Sequence, residues 1–586
     1  MKKIKNKFKF LKNKYFWVFI GIFVLGTFLR AYNFSPWLHF ELDQARDATL
    51  IREAIDQGAG NLPLLGPRAA GTFLRLGPIF YYIEYAFALV FGNAPAGSAM
   101  AILFFGILSI PAFYLLFRRY FSSKIILALL LVFSSSLFMV TYARFAWNPN
   151  MLPFFVMILI WALLKSVDVE EKKKRGYWLM LTALFLGIVA QFHFLAMIVL
   201  SITTVAFLIY KRPKIKPLFW VGSIAIIVFL HIPVLINEAK TGGENSKLFI
   251  EAVTDKSENK KSYSLIEKAT KNYSESILKY WIIITGSQTA EVPEVRISEE
   301  TKKLDIKCDQ YCRDNLPKGV LAFMFLTLGL AVLILEIFLE KAAQKKDFLI
   351  LSVVLFIISF GVFTPLAFDM SPRFFLIIIP LPFVLLGLLM RRIGKVVKMK
   401  NIAWLIAIIF AAFNLYFTTN YLTQLRNAKS EQFEIGKDRI LKQKTRITLE
   451  QQEAVTDYME NFYNQNNYAI FYSGQSEFHR AFAYLLDGRN IPRDGISKSK
   501  VCRQGNYFLI IRTQSDINNY SSYFERFSIL EKKQFGTLTA FHLTPKSVII
   551  NCEEPDQNKF RNYKNEGGSV AKRYNWNEIF ETDFNK

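Results

Sequence analysis

Up to residue 421 the chain alternates apolar runs of membrane length with short polar junctions, and beyond it the pattern changes to that of a water-soluble fold. The first run, Tyr15 to Leu29, follows residues 1–14, which carry seven lysines. No small-residue cleavage site follows, and Arg30, Tyr32 and Trp37 read as an interfacial anchor, so a retained helix is expected. Ten further spans are expected at 96–117, 125–142, 150–166, 177–192, 194–210, 217–236, 319–339, 348–368, 373–390 and 401–421, lengths that approach or reach the ~20 residues needed to cross a bilayer. Two polar regions interrupt them, a first loop at 33–95 and a second at 238–317. Within loop one, Pro78 to Phe91 is too short for a span and contains Glu84, which predicts a helix lying in the membrane interface.

Residues 422–586 read as a soluble module. A helix is expected near Thr448 to Gln465, then a strand YAIFYS, a helix near Glu477 to Leu486, a strand YFLIIR and a hairpin over FSILEKKQFGTLTAFHLTP. The last thirty or so residues are polar, with the composition of a disordered tail. The expected fold is mainly α: a polytopic membrane protein of about eleven transmembrane helices, residues 15–421, with a small external α/β C-terminal domain, residues 422–586.

Composition agrees with a membrane protein: 52% of the 586 residues are hydrophobic and the mean hydropathy is +0.23. The net charge of +25 raises nucleic acid as a partner, but no aromatic-basic binding module is visible, so none is expected. The basic residues instead cluster at every second junction: Arg118 and Arg119; Lys172 to Arg175; Lys211 to Lys216; Lys341 to Lys346; Arg391 to Lys400. These clusters place the N-terminus and the alternate junctions in the cytoplasm, and loop one and the C-terminal domain outside an integral, multi-pass plasma-membrane protein. All four cysteines then fall outside, where Cys308 with Cys312 and Cys502 with Cys552 are the expected disulfides.

Candidate chemistry concentrates in loop one. The segment Phe40 to Gln57 has the spacing of an amphipathic helix, which puts Asp43 and Asp47 on one face beside Arg46. Other polar residues stand at the same ends of the spans: Arg68 and Arg75; Arg144, Asn148 and Asn150 in YARFAWNPN; Gln191 and His193 in AQFHF; Asp369 and Arg373 in FDMSPRF. Together they fit one cavity at the external face. Each also admits a structural reading: solvated helix charges for the aspartates, snorkelling for Arg144 and Arg373, a core imidazole for His193, a turn for Asn148-Pro149-Asn150. No P-loop, GxGxxG or HExxH occurs, and five scattered histidines suggest no metal site, so no cofactor and no metal are expected.

A basic N-terminus, one span and a large external loop opening on an acidic helix resemble the polytopic C-type glycosyltransferases, specifically the protein O-mannosyltransferase and lipid A aminoarabinose transferase superfamily. Asp43-Gln44-Ala45-Arg46-Asp47 stands where that group has an Asp-Glu-x-Arg-Tyr type motif, and LPLLGPRAAGTFLRLGPIFYYIEYAFALVFG stands where it has a proline-containing interfacial helix. The resemblance implies a sugar transferase with Asp43 as catalytic carboxylate and Arg46 on the donor phosphate. Gln44 replaces the motif's second acid, a role open to Asp47, and Arg75 or Arg68 takes the place of a loop basic residue. The chemistry asks for the same groups: a base for an acceptor hydroxyl and cations for a departing phosphate.

The expected activity is transfer of a sugar from a polyprenyl-phosphate donor to an external lipid, glycan or protein acceptor, within the membrane lipids. Asp43 and Asp47 are the catalytic candidates, Arg46, Arg75, Arg144 and Arg373 the phosphate-binding ones, and Gln44, Asn148 and His193 the substrate-binding ones. The alternatives are a transporter or flippase of lipid-linked saccharides, which lacks here the two matching halves common in transporters, and a structural membrane protein whose C-terminal domain binds a partner. The topology is directly testable: a reporter fused after residue 425 is expected outside and one near Lys173 in the cytoplasm. The reverse orientation at either point would scatter the candidate residues over both faces.

Overall fold

The structure, a computed structural model, describes residues 14–69, 72–254, 263–297, 304–399, 401–430, 435–496, 501–502, 504–547 and 571–584. Among the described residues eight helices are long and apolar enough to cross a membrane, and Pro217–Leu230 with Ile232–Thr241, bent by 60°, makes a ninth. Two expected spans take other forms. The one at 125–142 is broken into Ser123–Ser135 and Leu137–Tyr142. Freed backbone groups at the break are satisfied by neighbours, Leu137 N donating to Asn414 Oδ1 (3.0 Å) and Ser135 O accepting from Thr418 Oγ1 (3.3 Å), and the Ser136 hydroxyl ties the break to Ile283 O (2.7 Å). A helix can break at membrane depth only where such partners stand ready. The span expected at 373–390 starts instead at Pro380 and runs to Val397, because Pro380 and Pro382 lack the N–H that a helix interior needs and belong in a first turn. Residues Pro372–Leu376 before it form a short 3-10 turn.

Two expectations are corrected. The region 238–317 is not a plain polar loop: it holds the helices Glu244–Thr254 and Leu265–Thr285, the hairpin Glu294–Ile297 with Leu304–Lys307, and the start of the 30-residue helix Gln310–Leu339. Leu265–Thr285 begins with a Ser264/Glu267 capping box and ends on buried Ile282, Ile283 and Ile284. Its polar first half hides that apolar end from any average over the whole loop. Nor are Arg30 and Trp37 interfacial anchors. Arg30 is fully buried and donates to Gly26 O and Ser134 O, both at 2.9 Å, and Trp37 is buried too, whereas Tyr32 is exposed.

The C-terminal module follows the expected order. Its five-stranded sheet runs, in space, Arg493–Gly495, Ile470–Gly474, Asn506–Arg512, Leu538–Pro545, Phe527–Phe535, with the first three parallel and the last two pairs antiparallel. It sits directly on loop one. Leu449 N and Glu450 N, at the start of helix Leu449–Asn466, donate to Leu38 O (3.0 Å) and Pro36 O (3.1 Å), and Gln452 Nε2 donates to Phe40 O (2.8 Å). Arg52 of the acidic helix donates to Tyr484 O (2.8 Å) and lies 3.4 Å over the Tyr484 ring. The tail is likewise not polar filler throughout. Residues 571–575 run along loop one, with Leu64 N donating to Tyr574 O (2.8 Å) and Arg75 Nε to Ala571 O (3.1 Å). Helix Trp576–Phe584 follows, its Trp576 Nε1 donating to Tyr82 Oη (3.0 Å). The Cys308–Cys312 disulfide is present; Cys502 is disulfide-bonded, and its expected partner Cys552 lies outside the described residues.

Arg144 ties the turn after Tyr142 to the first helix. Buried to 2% exposure, it donates to Arg30 O (2.8 Å), Asn33 O (3.4 Å) and Leu29 O (3.5 Å). Arg144→Met removes those donors and strands the carbonyls, and charged hydrogen bonds are worth roughly 1.5–3 kcal/mol each. We expect a lower thermal midpoint in detergent, corresponding to at least about 3 kcal/mol, with partial recovery in Arg144→Lys. Unfolding of Arg144→Met at the wild-type temperature would show that the tie holds nothing together.

Candidate active site

The acidic helix Leu42–Gln57 is set by its first turn. Glu41 caps it, and Gln44 Oε1 accepts from Glu41 N (3.2 Å) in a capping box, so Gln44 is occupied with the helix start. Ala45, Ala48, Ile51 and Ala54 are buried along one stripe, and such small residues let the helix pack closely. On the adjoining face Arg46 forks between the two aspartates, Nη1 to Asp43 Oδ1 at 3.0 Å and Nε to Asp47 Oδ1 at 2.8 Å. The shared face expected from the four-residue spacing is thus built around one guanidinium.

The two carboxylates differ in surroundings. Asp47 is 1% exposed and also accepts from Tyr81 Oη (3.0 Å); burial pushes its carboxyl up, against the pull of Arg46. Glu84, one helical turn beyond Tyr81 on Ile79–Phe91, is buried as well rather than facing an interface, and burial and then Asp47 hold it well above the usual carboxylate range. Asp43 instead keeps 44% of its side chain exposed and borders a cavity of about 700 Å³, a size typical of small-molecule sites.

That cavity brings together Asp43, Arg46, Arg68, Asn148, His193, Asp369 and Arg373 from five separate stretches of sequence. One wall is the hairpin-like pairing of 66–69 with 72–76, pinned by Gly66 N to Leu76 O (2.8 Å) and Leu76 N to Pro67 O (2.9 Å). Gly66 is required there, since a Cβ would meet Gly77 O at 2.1 Å. Asn148 donates to Phe192 O, and His193 Nδ1 accepts from Leu195 N (3.1 Å). Trp147, which the sequence reading passed over, joins the two chemical ends: its Nε1 donates to Asp43 Oδ2 (3.2 Å), and the Arg373 guanidinium lies 4.6 Å from its ring. Among the described residues Arg373 has no carboxylate partner. A lone tryptophan before Asn148-Pro149-Asn150 was the available signal for it, as the polar IFYYIEYAF positions were for Tyr81 and Glu84.

Other expected residues lie elsewhere. Arg144 is bound to backbone carbonyls away from the cavity. Arg75 is buried behind the hairpin, holding Ala571 O and, through its backbone, Asn245. Gln191 braces Ile79 N and Leu230 O, and Asn150 bonds Phe145 O (2.9 Å). Phosphate contact by Arg144 or Arg75, and substrate contact by Gln44, find no support in this geometry.

The arrangement is that of a polytopic membrane protein with an acid and arginines around one cavity at one end of its helices. Residues 76–236 match the family model described as dolichyl-phosphate-mannose-protein mannosyltransferase. The fold is similar over 90% of this chain and 98% of the other to the crystal structure of ArnT from Cupriavidus metallidurans bound to undecaprenyl phosphate, at 11% identity and TM-score 0.54. The archaeal oligosaccharyltransferase AglB from Archaeoglobus fulgidus is matched at 12% identity over 86% of this chain and 70% of that one, with TM-score 0.45. No curated protein matches in sequence. The resemblance to the C-type glycosyltransferases expected from loop one therefore stands: the chain is a multi-pass membrane protein with their fold.

His193 sits in the one-residue junction between helices Lys172–Phe192 and Phe194–Lys211, where burial and then Arg373 push its pKa down to about 3. Below pH ~6.5 the unfolded chain takes up a proton that the folded state refuses, so this group costs stability progressively as pH falls from 6.5 toward 3. At pH 5 the cost is on the order of 2 kcal/mol. His193→Gln is expected to lose less thermal stability than wild type between pH 7 and 5. An unchanged acid sensitivity would mean that His193 is readily protonated in the fold.

Proposed function

We propose that the protein is a membrane glycosyltransferase that moves a sugar from a polyprenyl-phosphate donor to an acceptor hydroxyl at the extracytoplasmic face of the plasma membrane. The observation that carries this reading is the pairing, across Trp147, of a cavity-facing carboxylate and an arginine that has no carboxylate partner among the described residues. Asp43 takes the acceptor's hydroxyl proton as that oxygen forms its bond to the sugar anomeric carbon. The bond from that carbon to the phosphate oxygen breaks, and the phosphate leaves with the electron pair. Arg373, stacked on Trp147, holds the departing phosphate, and exposed Arg68 reinforces it from the cavity wall. Arg46 is already divided between Asp43 and Asp47, so its part is to aim Asp43 and to lend positive field to the phosphate. Asp47 and Tyr81 fix Arg46 in turn.

The family match over residues 76–236 and the fold shared with a structure holding undecaprenyl phosphate both support a lipid-phosphate donor. The basic junctions support the external orientation. The donor sugar belongs to the hexoses or pentoses, and the acceptor is a lipid, glycan or protein.

The test is transfer of labelled sugar from synthetic polyprenyl phosphates by the full chain in detergent. Asp43→Asn keeps size and hydrogen bonding but cannot take a proton, so turnover is expected to fall by roughly 10² to 10⁴ with donor binding retained. Arg373→Ala is expected to weaken donor binding by about 1.5–3 kcal/mol. Wild-type turnover in Asp43→Asn would remove Asp43 as the base, and passage of lipid-linked sugar without bond cleavage would point to a transporter.

A further inference from the structure

The segment 366–374 stands between two cavities. Leu366, Asp369, Ser371 and Arg373 face the one just described, while Ala367, Phe368 and Met370, interleaved with them in sequence, face a second of about 510 Å³. Its other walls come from the helix Leu265–Thr285, the hairpin Glu294–Ile297 with Leu304–Lys307, the start of helix Gln310–Leu339, and the stretch 437–442.

Charge on these walls is unbalanced. Lys271 and Lys279 share Glu275, at 3.3 and 3.5 Å. Lys437 and Arg439 share Glu291. Lys442 faces the same space with no ion pair among the described residues. Of the residues that line the cavity on the helix and the 437–442 stretch, five cations thus meet only the carboxylates of Glu275 and Glu291, and Asp438 is paired instead with Arg446 (2.7 Å). The remaining charges reduce this excess without cancelling it: Lys307 pairs with Asp305 (3.3 Å) and Glu294 with Arg296 (2.9 Å), and Asp309, which caps the next helix at Cys312 N (2.7 Å), adds one carboxylate. Lys279 is the deepest, with 7% of its side chain exposed. Burial lowers its pKa against Glu275, and Arg439 and Lys442 lower it further. Desolvated like charges this close are costly unless a counter-charge completes them.

We infer that the second cavity binds an anionic group of the phosphate or carboxylate kind and, resting on the transferase reading above, that this group belongs to the acceptor. A molecule anchored there lies across the 366–374 segment from Arg373 and the cavity proposed to receive the donor. An acceptor phosphate, an acceptor carboxylate and a lipid headgroup offer the same chemistry to these cations.

Inorganic phosphate titrated into the full chain in detergent, with binding followed by calorimetry, tests the site apart from the donor cavity. Arg373→Ala is expected to retain phosphate binding at the second cavity. Lys279→Gln, and the exposed Lys442→Asn, whose positive φ of 59° asparagine tolerates, are each expected to weaken it about tenfold or more. Phosphate binding at wild-type strength in both lysine variants, or none in wild type, would overturn the site. In nanodiscs, stabilisation by phosphatidic acid over phosphatidylcholine that Lys442→Asn abolishes supports the site and assigns the anion to a lipid headgroup; a response to soluble phosphate alone supports it and assigns the anion to a glycan or peptide. In the transfer assay Lys442→Asn should raise the KM for acceptor and leave that for donor. A shift in donor KM alone would refute the acceptor assignment, and failure of transfer by wild type would refute the transferase reading while leaving the phosphate titration valid.

Discussion

Asp47 is a carboxylate taken out of water, and that single cost organises loop one. A buried charge persists only if paired and hydrogen-bonded, and here Arg46 and Tyr81 supply both. Because Arg46 is held by Asp47, its remaining nitrogen fixes Asp43 at the cavity rim. Because Tyr81 is held as well, the helix Ile79–Phe91 cannot slide relative to the acidic helix. The cavity-facing carboxylate is thus positioned by a second acid that does not line the cavity, which on the proposed reading would divide orientation and chemistry between two aspartates.

The same loop is clamped from outside by elements distant in sequence. Helix Leu449–Asn466 takes the carbonyls of Pro36 and Leu38, Arg52 spans to Tyr484, and residues 571–575 lie along the hairpin that walls the cavity. Loops that carry chemistry work when a rigid frame limits their motion. Here the frame includes the C-terminal module, so that module serves geometry whatever else it binds.

Much of this was legible in the sequence because its signals are local. Apolar runs located the membrane helices, the four-residue spacing put Asp43 and Asp47 on one face, and strand and helix periodicities gave the C-terminal module in order. What stayed hidden depends on partners far along the chain. Arg30 and Arg144 look like interfacial residues until the carbonyls of Ser134, Leu29, Arg30 and Asn33 are seen around them. Trp147 carries no motif, and its importance lies in Asp43 and Arg373 meeting on either side of it. The helix Leu265–Thr285 escaped because a polar half and an apolar half average to neither pattern. The break at Ser136 escaped because it is stable only with Asn414 beside it.

The strap over loop one has a consequence for biosynthesis. Arg75 and Ala571 are separated by 496 positions, so the wall of the cavity beside Asp43 is bonded to a segment that leaves the ribosome long after the membrane helices have been inserted. A nascent chain can therefore be fully threaded through the bilayer and still lack a finished site. Contacts of such long range form late in folding, and chains cut short before residue 571 would reach the membrane as silent copies, with helices in place and the cavity wall untethered.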